Sequence, residues 1–401
     1  MIITRKRGAG MNKTIWTIRY TLINVTYFVA FCTIHACAAL YLLDCGFTNT
    51  EVGVLLAVAN IVSAIVQPAV ASVIDKGGRL TNQKFIIFSV LLIAAGSGIL
   101  LFVKNKPVIF VVFALIYMIQ FAYQPVMTAL CFEYRKAGAD IAYGIARGLG
   151  SASFAITSVF IGSAVARNGV KLLLIVNIVV MLLSAVAVIT FRKPKAEIKQ
   201  EQKSGSNQNN ILAFARKYPA FIVYLACTVC FFFAHNMIND FMIQIIRSLG
   251  GGETELGYSN FLQAILELPV MAMIGIILKK ISAGKLMVIS GIAFLIKIVI
   301  LIFATNMAMM YLSQSFQLFA YAVFIPATAY YVSSTMDEKD QVKGQAFVTS
   351  AITVGGVFSN LLSGVILDHA GITTMLTTGS IVCAIGAAVA LVAMAKLPHR
   401  K

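Results

Sequence analysis

Residues 172–189 read LLLIVNIVVMLLSAVAVI, a run of eighteen residues without a charged side chain. A helix of about 20 apolar residues crosses the hydrocarbon core of a bilayer. Backbone groups in lipid must find their hydrogen bonds within the protein, and a helix satisfies them within one segment. The run therefore predicts a membrane-spanning helix.

Eleven further apolar stretches are spread along the 401 residues, of which 59% are hydrophobic and 12% charged. A soluble domain carries about 25% charged residues. The predicted spans are 15–43, 51–74, 83–103, 107–133, 140–166, 171–191, 218–246, 254–278, 285–304, 307–336, 342–368 and 372–396. The runs are continuous and do not alternate as outer-membrane strands do. The sequence predicts an all-α membrane protein with twelve transmembrane helices in two six-helix bundles.

The net charge of +17 is distributed unevenly between the two sides of these spans. Twenty-five of the 32 Lys and Arg residues fall in the terminal tails and the loops on their side, and five fall in the opposite loops. This is the bias of cytosolic loops, so we expect an inner-membrane protein with both termini in the cytosol. The basic charge is therefore a signal of membrane topology. The sequence contains no groove-forming module of aromatic and basic residues, so we expect no nucleic-acid partner.

A polar segment divides the predicted spans six to six. Residues 192–217 are rich in Lys, Gln, Asn and Ser, a composition typical of a flexible linker between a bundle at 1–191 and a bundle at 218–401. Phe121-Ala122-Tyr123 in the first half recurs as Phe319-Ala320-Tyr321 in the second. Two parallel repeats are typical of carriers that alternate access around a central site.

The loop after the second span joins a carboxylate to two cations. Asp75, Lys76, Gly78 and Arg79 follow one another closely, and Gly78 permits a tight turn. Such a cluster is either an ordinary charged turn or a latch between cytosolic helix ends. The stretch resembles the signature loop of the major facilitator superfamily, with Ala71 in place of its first Gly.

A narrower resemblance links the chain to the lactose permease branch, which includes phenylpropionate permeases and nucleoside–proton symporters. It is carried by Gln67-Pro68, by YGIARGLG at 143–150, and by Lys297 with Phe303-Ala304-Thr305. The resemblance implies that Arg147 holds solute oxygens and that Lys297 stands where the family has an Arg tied to proton coupling. The chain departs from that pattern at Ala129, Asn260, Gln317 and Ala320. We therefore expect a solute other than lactose and a different proton route.

Ionisable residues at bilayer depth are costly and are candidates for function. Glu267 lies just before Pro269, and we interpret it as a proton carrier or as half of a static pair with Lys297. Asp240 is assigned to proton coupling as well, although its position near an outer end also fits a solvated carboxylate.

The predicted substrate-binding residues are polar side chains within spans. Several of them have a structural alternative: Arg147 reaching to the cytosol, His35 as a hydrogen-bonded structural residue, and each Gln as an interhelical bond. Asn236 and Asn239 belong to two rows with His235 and Asp240 on one helix face. The predicted set is Arg147, His35, Tyr123, Asn236, Asn239, Gln263 and Gln317.

Neither a Walker A sequence nor a catalytic or metal-ligand constellation occurs in the chain. We therefore expect neither ATP-driven transport nor enzyme activity, and no cofactor or metal. The leading hypothesis is a monomeric, proton-coupled symporter for a sugar, nucleoside or aromatic acid, with membrane lipid as its surroundings. The alternatives are efflux by proton antiport and, from another class, a non-transporting membrane sensor.

Overall fold

Helices account for every regular element in the described part of the chain. The structure, a computed structural model, describes residues 2–75, 80–192 and 211–396. The helices are α1 (Ile2–Phe31), α2 (Ala38–Asp44), α3 (Asn49–Asp75), α4 (Asn82–Phe102), α5 (Lys106–Lys136), α6 (Tyr143–Asn168), α7 (Lys171–Thr190), α8 (Ile211–Lys217), α9 (Pro219–Asp240), α10 (Met242–Ser248), α11 (Glu253–Ile277), α12 (Ala283–Ile302), α13 (Met307–Ser315), α14 (Tyr321–Thr335) and α15 (Glu338–Lys396). A π-helical turn, Cys32–Ala36, and a 3₁₀ turn, Phe316–Leu318, complete the described helical structure.

Ten helical segments in the described ranges are long and apolar enough to cross a membrane. One of them, 340–393, contains a break at Gly371, whose φ of 77° interrupts α15. Helix α11 has 25 residues and is not among the ten. The all-helical membrane fold predicted from the sequence is confirmed, while the count of twelve crossings stays a prediction.

Polar residues define where several helices begin. The side chains of Thr81, Asn105, Ser282 and Asn306 each accept a hydrogen bond from a backbone N–H three residues later. This bond satisfies one of the N–H groups that a helix start leaves without an intrahelical partner. The short connections in the sequence therefore carry the signals that begin the spans.

The chain divides into two compact units. Unit 1 comprises residues 1–45 and 61–204, and unit 2 comprises residues 46–60 and 205–401. Most of α3 belongs to unit 1, but its start groups with unit 2. The predicted bundles at 1–191 and 218–401 and the linker at 192–217 stay a prediction.

Buried polar pairs connect the helices within unit 1. Asn177 on α7 donates to Ser97 Oγ on α4 at 2.8 Å. At the opposite end of α7, the Phe191 carbonyl accepts hydrogen bonds from the Tyr134 hydroxyl at 2.7 Å and from the Gln83 carboxamide at 3.1 Å. A carbonyl at a helix end has no intrahelical partner, so these side chains fix the ends of neighbouring helices against each other.

Unit 2 is held together by the packing of α9 along α15 and by a cluster of rings. Phe231, Phe294 and Phe324 pack with ring centroids 6.1–6.2 Å apart. Gly291 on α12 lies directly against Phe231, because a Cβ at Gly291 would come within 2.3 Å of the ring. The ring cluster therefore needs a glycine at this position.

Adding one methyl group at Gly291 tests this packing. We expect Gly291→Ala to lower the melting temperature of the purified protein by several degrees, since overpacking a core costs about 1–3 kcal/mol. Gly284→Ala on the same helix is the control, because nothing lies within 4 Å of a Cβ there. Equal melting temperatures for the two variants would contradict the packing described for Phe231.

The short helix α8 is bound to the end of unit 2 that the charge distribution predicts to be cytosolic. Lys217 Nζ lies 2.6 Å from a carboxylate oxygen of both Asp337 and Asp340. These hydrogen bonds raise the pKa of Lys217. Phe214 is buried and packs against Phe347 at 5.1 Å. The end of the predicted linker is thus an ordered helix with an apolar anchor.

Candidate functional site

Arg147 lies on α6 within unit 1, partly buried. Its Nη1 donates to Ser151 Oγ at 3.2 Å, and its guanidinium carbon lies 4.2 Å from the centroid of the Phe28 ring. It forms no salt bridge with a described residue. The guanidinium therefore keeps most of its five N–H donors for another acceptor, and such a planar fork suits carboxylate or hydroxyl oxygens.

Aromatic side chains continue from Arg147 along α1. Phe28, Phe31 and His35 recur at the spacing of one helix face, and Phe121 on α5 and Phe154 on α6 meet Phe31 at 5.8 and 6.2 Å. We call these five residues the aromatic face. Phe31, Phe121 and Phe154 are partly exposed. Unit 1 thereby presents accessible ring surfaces beside a cation.

His35 sits in the π-helical turn that ends α1. Its ring stacks on Phe31 at 4.2 Å with an interplanar angle of 10° and approaches Tyr117 at 3.8 Å. Neither ring nitrogen finds a hydrogen-bond partner among the described residues. The structure therefore does not support the alternative of a hydrogen-bonded structural histidine. Single π-helical turns occur frequently at functional sites.

Tyr123 is separated from the exposed part of this face. Its side chain is fully buried, with its hydroxyl toward Met181 Sδ at 3.9 Å and its ring edge-on to Tyr27 at 5.1 Å. A solute in contact with Phe31 would meet Tyr123 only after rearrangement of the core. The structure therefore places Tyr123 in the core of unit 1.

Three polar side chains form a chain of hydrogen bonds within unit 2. The Lys297 ammonium donates to Gln317 Oε1 at 2.8 Å, and Gln317 Nε2 donates to Glu267 Oε1 at 2.9 Å. Lys297 is fully buried. We call Lys297, Gln317 and Glu267 the polar chain. The structure thus brings two of the three predicted coupling residues together and places a predicted substrate-binding residue between them.

A break between α13 and α14 brings Gln317 into this position. The 3₁₀ turn Phe316–Leu318 holds Gln317, and Ala320 then leaves the helical conformation with ψ of −96°. Ser290 Oγ donates to the Ala320 carbonyl at 2.5 Å and Ser313 Oγ to the Lys297 carbonyl at 2.6 Å. The break is therefore anchored on α12, the helix that carries Lys297.

The two polar rows on α9, residues 235 and 239 and residues 236 and 240, contact different parts of unit 2. His235 stacks on Tyr321 at 5.1 Å, and its Nε2 lies 2.9 Å from Asn239 Nδ2. Asn236 faces Gly356, because a Cβ on that glycine would lie 2.8 Å from its amide nitrogen. Asp240, one turn later at the end of α9, belongs to the same row as Asn236. The two rows therefore point in different directions within unit 2.

The remaining predicted residues are Gln263 and those of the loop after α3. Gln263 is nearly buried on α11, one turn before Glu267. Asp75 is the last residue of α3. Lys76, Gly78 and Arg79 lie outside the described residues. The latch predicted for this loop stays a prediction.

The aromatic face beside Arg147 was not predicted from the sequence. Phe28, Phe31 and Phe154 were interpreted only as part of apolar spans, since phenylalanine is ordinary in a membrane helix. Their spacing on α1 was the available signal, because Phe28, Phe31 and His35 share one helix face.

A family model for the MFS_1-like family matches residues 18–377. The chain belongs to this family. No curated protein sequence matches the chain. Family membership over nearly the whole chain makes the protein a membrane transporter of the major facilitator type.

Solved structures of this type have the same fold. The nucleoside transporter NupG has a TM-score of 0.78 and 15% identity, with 96% of this chain and all of that chain covered. A POT family peptide transporter has a TM-score of 0.73 and 11% identity, with 96% and 97% covered. A bacterial homolog of the lysosomal transporter Spinster has a TM-score of 0.68 and 11% identity, with 95% and 97% covered. At these identities the similarity shows the fold.

Proposed function

We propose that this protein is a proton-coupled symporter for a small solute that combines a flat ring with polar or anionic groups. The observation that carries the proposal is the position of Arg147 beside the aromatic face in unit 1. A guanidinium fork binds carboxylate or hydroxyl oxygens, and neighbouring rings stack on a planar solute. Nucleosides and aromatic acids have both features.

One solved structure with this fold belongs to a transporter of the first of these solute classes. NupG is a nucleoside transporter and shares the fold over 96% of this chain. The specific argument for this chain comes from its own residues, because 15% identity does not transfer a binding site. Sugars offer hydroxyl groups to Arg147 but no flat ring to Phe31, so we rank them below nucleosides and aromatic acids.

Proton coupling is assigned to the polar chain in unit 2. A buried ammonium and a nearby carboxylate stabilise each other's charge, and a proton arriving at the carboxylate removes that stabilisation. Lys297 and Glu267 share Gln317 as their common hydrogen-bond partner. A change in the charge of Glu267 can therefore act on Lys297, in the interior of α12, through the Gln317 side chain.

Uptake into proteoliposomes tests the whole proposal. We expect a labelled nucleoside or an arylpropionate to accumulate inside when the external pH is lower than the internal pH, and accumulation to collapse when a protonophore is added. Lactose is the control solute, for which we expect no accumulation. Nucleoside or arylpropionate accumulation that is insensitive to the protonophore would contradict proton coupling, and accumulation of lactose alone would contradict the solute class.

The aromatic face has its own test. We expect Phe31→Leu to weaken solute binding by about 10-fold, since stacking of a base on an aromatic side chain contributes about 1–3 kcal/mol. Phe160→Leu is the matched control, because Phe160 lies on α6 and is 69% exposed outside the aromatic face. Thermal shift or isothermal titration with the transported solute measures both affinities. Unchanged affinity in Phe31→Leu would remove this ring from the site.

A further inference from the structure

The first turn of α3 is held by a carboxylate from far along the chain. Asp368 Oδ1 accepts hydrogen bonds from the Asn49 backbone N–H at 3.2 Å and from the Asn49 carboxamide at 2.8 Å. Asp368 Oδ2 accepts from the Thr50 backbone N–H at 2.7 Å and from the Thr50 hydroxyl at 2.6 Å. All three residues belong to unit 2. One carboxylate thus receives four hydrogen bonds from two neighbouring residues.

A second cap of α3 is local. The Thr48 N–H donates to Glu51 Oε2 at 2.8 Å, and the Glu51 N–H donates to Thr48 Oγ1 at 3.1 Å. This reciprocal pair is a capping box, and it satisfies two N–H groups at the helix start. The N–H groups of Asn49 and Thr50 lie between them and are satisfied by Asp368. Glu51 therefore stabilises the helix start from within, whereas Asp368 ties it to α15.

Two glycines allow the close approach that these bonds require. A Cβ at Gly53 would lie 2.1 Å from the Asn360 carbonyl oxygen, and a Cβ at Gly364 would lie 2.4 Å from the Asn49 carbonyl oxygen. Gln244 on α10 adds a hydrogen bond of 2.9 Å to Asn49 Oδ1. The start of α3 is thus seated on α15 by packing as well as by charge.

We propose that Asp368 is a gating residue, which holds the start of α3 against α15 and releases Asn49 and Thr50 whenever this end of the protein opens. Asp368 lies three residues before the break at Gly371, at the end of α3 opposite to Asp75. Its four bonds are exposed, so water replaces them when they break. They can therefore form and break in every transport cycle. This inference goes beyond the proposed function and holds for any solute.

Cysteine labelling tests the gate without a solute. Asn360→Cys is the reporter, because Asn360 is fully buried and its backbone lies beneath Gly53. Cys45→Ser removes a partly exposed native thiol near the same end. In intact cells, a membrane-impermeant maleimide reaches the reporter only while the start of α3 is displaced. The labelling rate thus measures how often this end opens.

In this reporter protein, we expect Asp368→Asn to raise the labelling rate about 10-fold, the size expected for losing hydrogen bonds to a charged group. Glu51→Gln is the matched control, with a labelling rate within about twofold of the parent, because it changes the local cap and leaves the hydrogen bonds to Asp368 in place. In the protein without the reporter cysteine, we expect Asp368→Asn to change the maximal rate of uptake and to leave the half-saturating concentration nearly unchanged.

Equal labelling of Asp368→Asn and its parent would overturn the proposal, and so would an equal increase in Glu51→Gln. If Asp368→Asn fails to accumulate in the membrane, Thr50→Val replaces it, since that change removes only the 2.6 Å hydroxyl bond. We then expect an increase of about threefold, and an unchanged labelling rate in Thr50→Val overturns the proposal. Labelling requires no solute. The test of the gate is therefore independent of the proposed solute class and of proton coupling.

Discussion

Replacing Arg147 by alanine is expected to weaken solute binding by about 100-fold or more. Each hydrogen bond to a charged group contributes about 1.5–3 kcal/mol, and a fork that makes two of them contributes enough for that loss. Among the described residues of unit 1, the Arg147 side chain has a single hydrogen bond, to Ser151, and one ring contact, so the fold loses little. Equilibrium binding of a nucleoside or an aromatic acid to the purified variant measures the effect.

Two controls separate the fork of Arg147 from its charge. Arg147→Lys keeps the charge but removes the planar donor pair, and we expect it to recover only part of the affinity. Arg167→Ala removes an exposed arginine from the last turn of the same helix and is expected to bind normally. Wild-type affinity in Arg147→Ala, with normal expression, would exclude Arg147 from the binding site.

The second large effect is expected from Glu267→Gln, which should abolish accumulation driven by a pH gradient. The glutamine keeps an oxygen to accept from Gln317 Nε2 but has no carboxylate to bind a proton. Exchange of labelled for unlabelled solute at equal concentrations should persist, because it does not require net proton movement. Proteoliposome uptake and exchange assays measure the two rates.

Glu255→Gln provides the matched control for Glu267. Glu255 lies in the first turn of the same helix, where its carboxylate accepts from the Gly252 N–H at 2.8 Å. We expect this variant to lose some stability and to keep gradient-driven accumulation. Accumulation at the wild-type level in Glu267→Gln would assign proton coupling to another group, such as Asp240.

The fold was predictable from the sequence, because a span is a local property. The run at 172–189 corresponds to α7, and the stretch at 83–103 corresponds to α4 within one residue at each end. Both helices end two residues before a charged side chain, which is Lys104 after α4 and Arg192 after α7. The breaks at Phe316–Leu318 and in the π turn at His35 were not predictable, since neither a Pro nor a Gly marks them in the sequence.

The residues of the candidate site could be named from the sequence, but their arrangement could not. Arg147, Glu267, Lys297 and Gln317 were identified because polar groups are costly in lipid. Their connections depend on a bend in the chain 20 residues after Lys297 and 50 residues after Glu267, and no spacing rule reaches that far. Asp368 was missed because an acidic residue at the end of a span is ordinary, and its partners precede it by 318 and 319 residues.

The carboxamide of Gln317 joins a cation to an anion, and this gives it a fixed polarity. Its oxygen turns toward Lys297 and its NH₂ toward Glu267, the one orientation that suits both charges. A neutral carboxylic acid at position 267 gains an O–H group, and this group is best satisfied by the oxygen of a carboxamide turned through half a revolution. That rotation would confront the ammonium with two N–H groups. Protonation of Glu267 would in this way reverse the orientation of the Gln317 carboxamide. The Lys297 ammonium would then need a new hydrogen-bond acceptor.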